Sequence, residues 1–434
     1  GNVMITAYGS SQAGVYTFIN GQLQTVADYN TLVPGGGGAT FTRFSGSSKN
    51  DISDGRVAFL AESSSPTTVL GLYSNAGQPT ANDLFEVAVA DGSEWESIGN
   101  PWMDGDTIAM LGKRLIPNSH DTILRINGSD LSVDFVNAES GYNLVSAYQA
   151  SISGNATLFR SYNPQTGIGE FTILRDGVYE PLAQTGVTPM PGQNGLTFKT
   201  FDLNPVIDNG GLDAAFGGRG DGGAGRCVYK SIGGTLTLVA NADTVVPGGF
   251  DNGEFNFFDD TGVTLANGHV VFRAQGPLTM QGLYTDIGGE LTFIFNNGTS
   301  DAIELEGQTE YINDFKLSSR SLAYTPNGYE VVFWAQLLSG DYAIIKATIN
   351  TGAPLVFPDI SVSGDATFGN VAVGSSSTQT VTISNVGAGD LVISTVNGLT
   401  SPYSKPADNC SGSTLAPSTS CTVNVRYSPT TTGT

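Results

Sequence analysis

The sequence predicts an all-β protein: repeated four-stranded meanders in the manner of a seven-bladed β-propeller, followed by a β-sandwich. Three observations predict it. Fifty-seven glycines, 19 prolines and only 13% charged residues suit many short strands joined by turns, whereas long surface helices would demand more Glu, Lys and Ala. One apolar strand pattern recurs seven times in the first 350 residues, as in a ring of blades. From about Thr351 that period breaks and alternating strands at sandwich spacing take over. The expected domains are therefore 1–350 and 351–434, with six blades as the alternative count. At 434 residues and 39% hydrophobic content the chain can pack a core in each.

The best-patterned unit runs from Ala266 to Phe295. It holds an Asn-Gly turn, a strand of Val270, Val271 and Phe272, a loop, a strand of Gly282, Leu283 and Tyr284, a Gly-Gly turn, and a strand from Leu291 to Phe295. Strands matching the first of these end on Ile5, Phe59, Met110, Phe159, Phe216, Phe272 and Phe333, at separations of 54, 51, 49, 57, 56 and 61 residues. Residues 14–27, 227–240 and 282–295 share an aromatic (Tyr16, Tyr229, Tyr284), a turn of Asn-Gly or Gly-Gly, and an alternating strand after it. Such turns supply the positive φ angles of tight hairpins, so the pairing is local and antiparallel.

Next come Thr31 to Gly36 and Thr244 to Gly249, each ending Val-Pro-Gly-Gly, with a looser echo at Pro189 to Gly192. These are expected to cross from the outside of one blade to the inside of the next. A fourth, aromatic-bearing strand follows at Phe41 to Ser45, Trp95 to Trp102, Phe198 to Leu203 and Phe255 to Val263, and it is expected innermost, lining the axis. The first unit lacks this strand. Either a preceding segment or a later one such as Gly352 to Phe357 is expected to close the ring.

Asn50 through Phe59 and Ala266 through Phe272 resemble the tandem NxxGxxAF-type repeats of bacterial secreted or anchored "choice-of-anchor" proteins and, more distantly, the TolB-type propeller. Gly105 to Met110 and Gly154 to Phe159 depart from the pattern. The resemblance spans about residues 1–350, implies a propeller in a cell-surface context, and transfers no catalytic residue. Phe368 to Gly374, Thr380 to Gly387, Leu391 to Ile393 and Cys421 to Pro429 resemble the Ig-like module of the ASPM/Hydin type over about residues 354–434. That module implies one more strand after Tyr427-Ser428-Pro429-Thr430. Ending at Thr434, the chain is expected either to continue in its natural form or to take that strand from a neighbouring subunit, giving a polymer.

Eighteen basic and 40 acidic residues give a net charge of −22. A polyanion without a Lys/Arg run disfavours nucleic acid and anionic membrane surfaces, while oxygen-rich acidic turns admit calcium. No apolar run approaches the ~18–20 residues of a membrane span. No signal peptide is visible at Gly1, so a processed or trimmed product is expected. Cys410 and Cys421, eleven residues apart in one hairpin region, are close enough to bridge and favour an oxidising compartment.

Candidate chemistry is sparse. Asp104 with Asp106, and Glu254 with Asp259 and Asp260, are metal-ligand candidates; all sit in turn sequence, where Asp bonds its own backbone, and neither set fits the twelve-residue calcium loop. Cys227 reads as a small buried hydrophobe, since the only histidines, His120 and His269, are isolated in sequence. Arg219-Gly220-Asp221 spells an adhesive tripeptide in a glycine-rich loop. No Gly-x-Ser-x-Gly elbow stands between a strand and a helix. Sequons at Asn127, Asn155, Asn297 and Asn409 matter only in a glycosylating source. No catalytic or cofactor-binding residue is assigned. The expected function is therefore non-enzymatic: an extracellular or cell-surface protein acting in binding, adhesion or assembly toward a protein or glycan, with self-association through the C-terminal domain. The rival is a carbohydrate-active propeller enzyme using carboxylates near the axis.

Overall fold

The computed structural model describes residues 2–432 except 20, 47–49, 64–68, 81–82, 116–119, 128–129, 137–142, 145–149, 164, 202–204, 221–225, 248–252, 277–280, 298–301, 306–307, 326–327, 350–359, 366 and 387–389. Side chains at 120–121, 130–136, 143–144, 150, 259–261 and 319 are likewise outside the description. The chain divides into two compact units, Gly1–Ile349 and Asn350–Thr434.

The hairpins form where the turn residues accept positive φ. Asp54-Gly55 (48° and 79°), Asp176-Gly177 (48° and 78°) and Asn267-Gly268 (46° and 78°) close two-residue loops whose twist matches that of the flanking strands. In the first unit the described strands make seven antiparallel sheets in chain order. The first has three strands, Val3–Tyr8, Ala13–Ile19 and Gln22–Asp28, with no inner strand among the described residues. The other six have inner strands that touch in succession: Asp51–Ser53, Trp95–Asp104, Ala150–Ser153, Val206–Asp208, Phe257–Ala266 and Gln308–Thr325. Arg320, on the last of these, reaches Asp51 and Asp104 of the second and third sheets. Sheets following one another around a common axis are a β-propeller.

One expectation is corrected here. The aromatic-bearing segments Phe41–Phe44 and Phe198–Phe201 do not line the axis, whereas Trp95–Asp104 does take the inner position. Phe41–Phe44 pairs with the far half of Arg56–Ser63, and a separate strand, Asp51–Ser53, pairs with the near half and takes the inner position. Phe198–Phe201 and Val206–Asp208 divide the fifth sheet in the same way, and in the sixth a register shift between Phe258 and Val263 breaks Phe257–Ala266 at the matching place. The reason is burial: Phe41, Phe198 and Phe255 are each at most 1% exposed, and rings of that size stabilise most between sheets. The segment Gly352 to Phe357 lies outside the described residues.

The rings form one cage three times over. Phe41, Phe44, Phe59 and Tyr73, then Phe198, Phe201, Phe216 and Tyr229, then Phe255, Phe258, Phe272 and Tyr284, occupy matching positions. The tyrosine stands edge-on to the first phenylalanine at 4.8, 5.0 and 4.8 Å. Each tyrosine also dictates the residue two before it. A Cβ at Gly71 or Gly282 would lie 2.5 Å from the hydroxyl of Tyr73 or Tyr284, and one at Gly14 2.9 Å from that of Tyr16. The fourth sheet exchanges both members: Thr172 stands where the first, second, fifth and sixth sheets have tyrosine, and Glu170 fills the vacated space. Its buried carboxylate accepts from Thr172 Oγ1 (2.8 Å) and Gln184 Nε2 (2.7 Å). Asn50, the first residue of the best repeat match, ties sheets together, donating to Thr6 Oγ1 and Ser45 O and accepting from Leu60 N.

In the second unit, Ile360–Ser363, Ser377–Asn385, Ser420–Tyr427 and Tyr403–Asp408 form one sheet, and Leu391–Val392 with Thr414–Leu415 a second, smaller one. The Cys410–Cys421 disulfide is formed and sits in the core with Ile383, Leu415 and Val423. Val362 lies opposite Ile383 and therefore on the core side of the sheet, yet it is 62% exposed.

The paired exchange is testable. Thr172→Tyr alone should cost about 1–3 kcal/mol in urea unfolding by overpacking against Glu170. Glu170→Gly with Thr172→Tyr should recover most of that loss. Equal costs for the single and double variants would show that the two positions are not coupled.

Candidate functional site

The centre of the ring is built by side-chain oxygens that reach from one inner strand to the peptide N–H groups of the next. Asp51 Oδ2 accepts from Met103 N (2.7 Å) and Ser53 Oγ from Gly105 N (2.8 Å). Asp104 accepts from Gly154 N. Ser151 and Ser153 accept from Ile207 N (3.2 Å) and Gly210 N (3.1 Å), Asp208 from Asn267 N (2.7 Å), and Thr264 from Leu322 N (3.1 Å). An inner strand has no further strand beyond it, so its backbone donors need such acceptors.

A second set of contacts holds the same turns by their carbonyls. Arg125 Nη2 donates to Gly154 O (2.7 Å), Arg175 Nη2 to Gly211 O (2.9 Å) and Lys230 Nζ to Gly268 O (2.9 Å). At three successive sheet boundaries, the turn of the following sheet is therefore gripped at an N–H by an oxygen and at a C=O by a cation. At the third of these Lys230 also pairs with Asp286, whose other oxygen accepts from Val270 N (2.8 Å) and lies 3.4 Å from His269 Nδ1.

Asp51 differs from its counterparts. Its second oxygen accepts from its own Ile52 N (2.9 Å), a donor for which the first sheet offers no inner-strand acceptor among the described residues. The Arg320 guanidinium lies across from it: Nη1 is 3.8 Å from Asp51 Oδ2 and 3.4 Å from Ile152 O, and Nη2 is 3.5 Å from Asp104 Oδ1. Burial pushes the Asp51 carboxyl above its ordinary range, and Arg320 with the two N–H groups pulls it back.

The sequence-predicted metal candidates do not converge on one site. Asp104 is an axial acceptor beside Arg320. Asp106, across the turn, accepts from Gly77 N (2.7 Å) and lies 3.8 Å from Arg56 Nε. Glu254 is exposed, in the crossing into the sixth sheet, where its backbone bridges Val245. The side chains of Asp259 and Asp260 lie outside the described residues. Among the described residues no three His, Cys, Asp or Glu side chains are placed to hold a metal ion. Cys227 is buried, and burial pushes its thiol up to about 11, far from the thiolate a nucleophile needs. The His120 side chain and Asp221 lie outside the described residues. Sequence reasoning missed Asp51, Arg320 and the inter-sheet acceptors. The recurring signal was an oxygen-bearing residue at the end of four of the six inner strands: Ser53, Asp104, Ser153 and Asp208.

Residues 358–434 match the family model of the HYDIN/CFA65/VesB-like, Ig-like domain. No curated protein matches the chain. Among solved structures it is similar to the β-propeller domain of the Trilobed protease from Pyrococcus furiosus, at 10% identity over 81% of this chain and 95% of that one, with a TM-score of 0.45. It is also similar to the GH74 xyloglucanase from Xanthomonas campestris, at 10% identity over 86% and 55%, TM-score 0.37. A polysaccharide lyase described as an ulvan lyase matches at 10% identity over 80% and 91%, TM-score 0.32. At these values no activity carries over to this chain.

Two measurements probe the centre. A carboxyl whose pKa is raised by folding adds stability that is fully present below its unfolded pKa and is lost as pH rises through the raised folded value. The stability of the parent protein minus that of Asp51→Asn should therefore fall as pH rises through and above the ordinary carboxylate range; a difference that climbs with pH would contradict the assignment. Lys230→Met should cost about 1–3 kcal/mol, because it leaves the Asp286 carboxylate, 12% exposed, without its cation. Asp286→Asn in the same chain should relieve part of that loss.

Proposed function

We propose that this protein is a non-enzymatic extracellular binding or assembly protein, its propeller rim presenting a recognition surface to a protein or glycan. The observation that carries the reading is the employment of the axial carboxylates. Asp51 and Asp104 each accept peptide N–H groups and face one guanidinium. A glycosidase pair needs one carboxyl free to give up a proton and another free to attack or to activate water. Side chains that hold neighbouring sheets together are poorly suited to either task. The Cys410–Cys421 bond supports an oxidising compartment. The repeat-bearing unit as a secreted or surface-anchored, choice-of-anchor type protein is part of the same proposal.

Self-association would run through the second unit. Ile360 and Val362, 57% and 62% exposed, lie on the edge strand Ile360–Ser363, the kind of edge that accepts another strand.

Affinity and turnover should be measured together on a panel of neutral and acidic polysaccharides. The expected result is retention without product. Turnover that disappears in Asp104→Asn would instead establish the carbohydrate-active alternative. Sedimentation of the full chain should show association that weakens in Ile360→Asp with Val362→Asp, and a monomer at every concentration would remove the assembly arm.

A further inference from the structure

Among the described residues, six inner strands form a succession with two ends. Between neighbours the connection is a side-chain oxygen on a peptide N–H, at 2.7–3.2 Å where Asp51, Ser53, Ser151, Ser153, Asp208 and Thr264 accept. Between the last member, Gln308–Thr325, and the first, Asp51–Ser53, the connection is of another kind. Arg320 lies where the pairing of Gln308–Thr325 with Gly328–Leu337 shifts register between Leu317 and Leu322. That irregularity frees its side chain from the regular alternation of the ladder. Its contacts with Asp51, Asp104 and Ile152 O span 3.4–3.8 Å, beyond the roughly 2.7–2.9 Å of a charge-assisted hydrogen bond. The attraction is therefore mainly Coulombic, and the guanidinium is 26% exposed, within reach of mobile ions.

We propose that Arg320 is a salt-releasable latch that closes the circle of inner strands. When its pairing with Asp51 and Asp104 is screened or removed, the ring loosens at the junction of its last and first inner strands while each sheet stays folded. The three connected sheets explain the reach of the device: one cation from the seventh sheet answers the second, third and fourth together. Asp51 explains its necessity, since a carboxylate 12% exposed that already accepts two N–H groups has, among the described residues, Arg320 as the cation that offsets its charge. Among the described residues the charged groups facing the guanidinium are Asp51 and Asp104, so the latch carries one cation against two anions. Added salt acts on that imbalance directly.

Hydrogen exchange read by mass spectrometry tests this on the full chain. Raising sodium chloride from about 20 mM to about 1 M shortens the screening length from roughly 20 Å to roughly 3 Å. Peptides carrying the amides of Ile52 and Met103 should then exchange on the order of ten-fold faster. A peptide carrying Val57, whose amide is held by the neutral Asn75 (2.7 Å), should not change. Arg320→Met should show the fast exchange already at low salt and respond little to more, and Arg320→Lys should lie between. If Arg320→Met fails to fold, the salt series on the unaltered protein decides, with Asp51→Asn plus Asp104→Asn as the second variant. Salt-independent exchange at Ile52 and Met103, or acceleration spread equally over the Val57 peptide, overturns the latch.

Discussion

Peptide groups on the innermost strands have no further strand to bond, and the ring depends on how they are satisfied. A sheet in a stack can leave an edge to water; an edge turned toward the middle of a propeller has neighbours on both sides and little room. Here the answer, on five of the six inner strands, is a short oxygen-bearing side chain at or near the strand end, aimed at an N–H of the next sheet. It costs little entropy, because Ser, Thr and Asp have few rotatable bonds. The geometry also sets the spacing of adjacent sheets, since the acceptor reaches only one peptide. Cations on the third strands complete the hold by taking the carbonyls of the same turns. Several of the chain's few basic residues are thus spent within the fold.

Between the sheets the constraint is volume. Three sheets repeat a cage of three phenylalanines and a tyrosine with ring separations that agree to within a few tenths of an ångström. The tyrosine hydroxyl lies over a residue that must then be small, and Gly14, Gly71, Gly282 and Cys227 answer that demand. Where the tyrosine is absent, as at Thr172, a larger polar side chain enters and brings its own hydrogen bonds. The exchange keeps the space filled and the polar atoms paired, the two conditions a buried site must meet together.

These uses of charge bear on function. Carboxylates that would interest an enzymologist on position alone are those the ring consumes, while the acid surplus responsible for the net charge of −22 is left for the rest of the surface. A protein organised in this way has a well-fixed frame and variable loops, which suits recognition. The Ig-like unit adds an edge strand whose apolar side chains Ile360 and Val362 are left exposed, a surface that suits a partner strand.

The sequence alone determined the all-β class, the meander grammar and the presence of an Ig-like module toward the C-terminal end. Each rests on local rules: Asn-Gly and Asp-Gly fix hairpins, alternation fixes faces, and a period of about fifty residues fixes repetition. The pairing of Cys410 with Cys421 was legible too, because eleven residues within one hairpin region leave little choice. Which strand segment lies innermost was not legible. Phe41–Phe44 and Asp51–Ser53 both pair with one strand, and only the competition for buried volume sends the rings between sheets and the short polar segment to the axis. Nor could sequence say that Asp104 serves the backbone of the next sheet and not its own turn, since that N–H lies 50 residues away. Arg320 is the extreme case. Its partner Ile152 is 168 residues distant, and nothing in the neighbourhood of a lone arginine between serines reveals that ring closure will place it opposite two carboxylates.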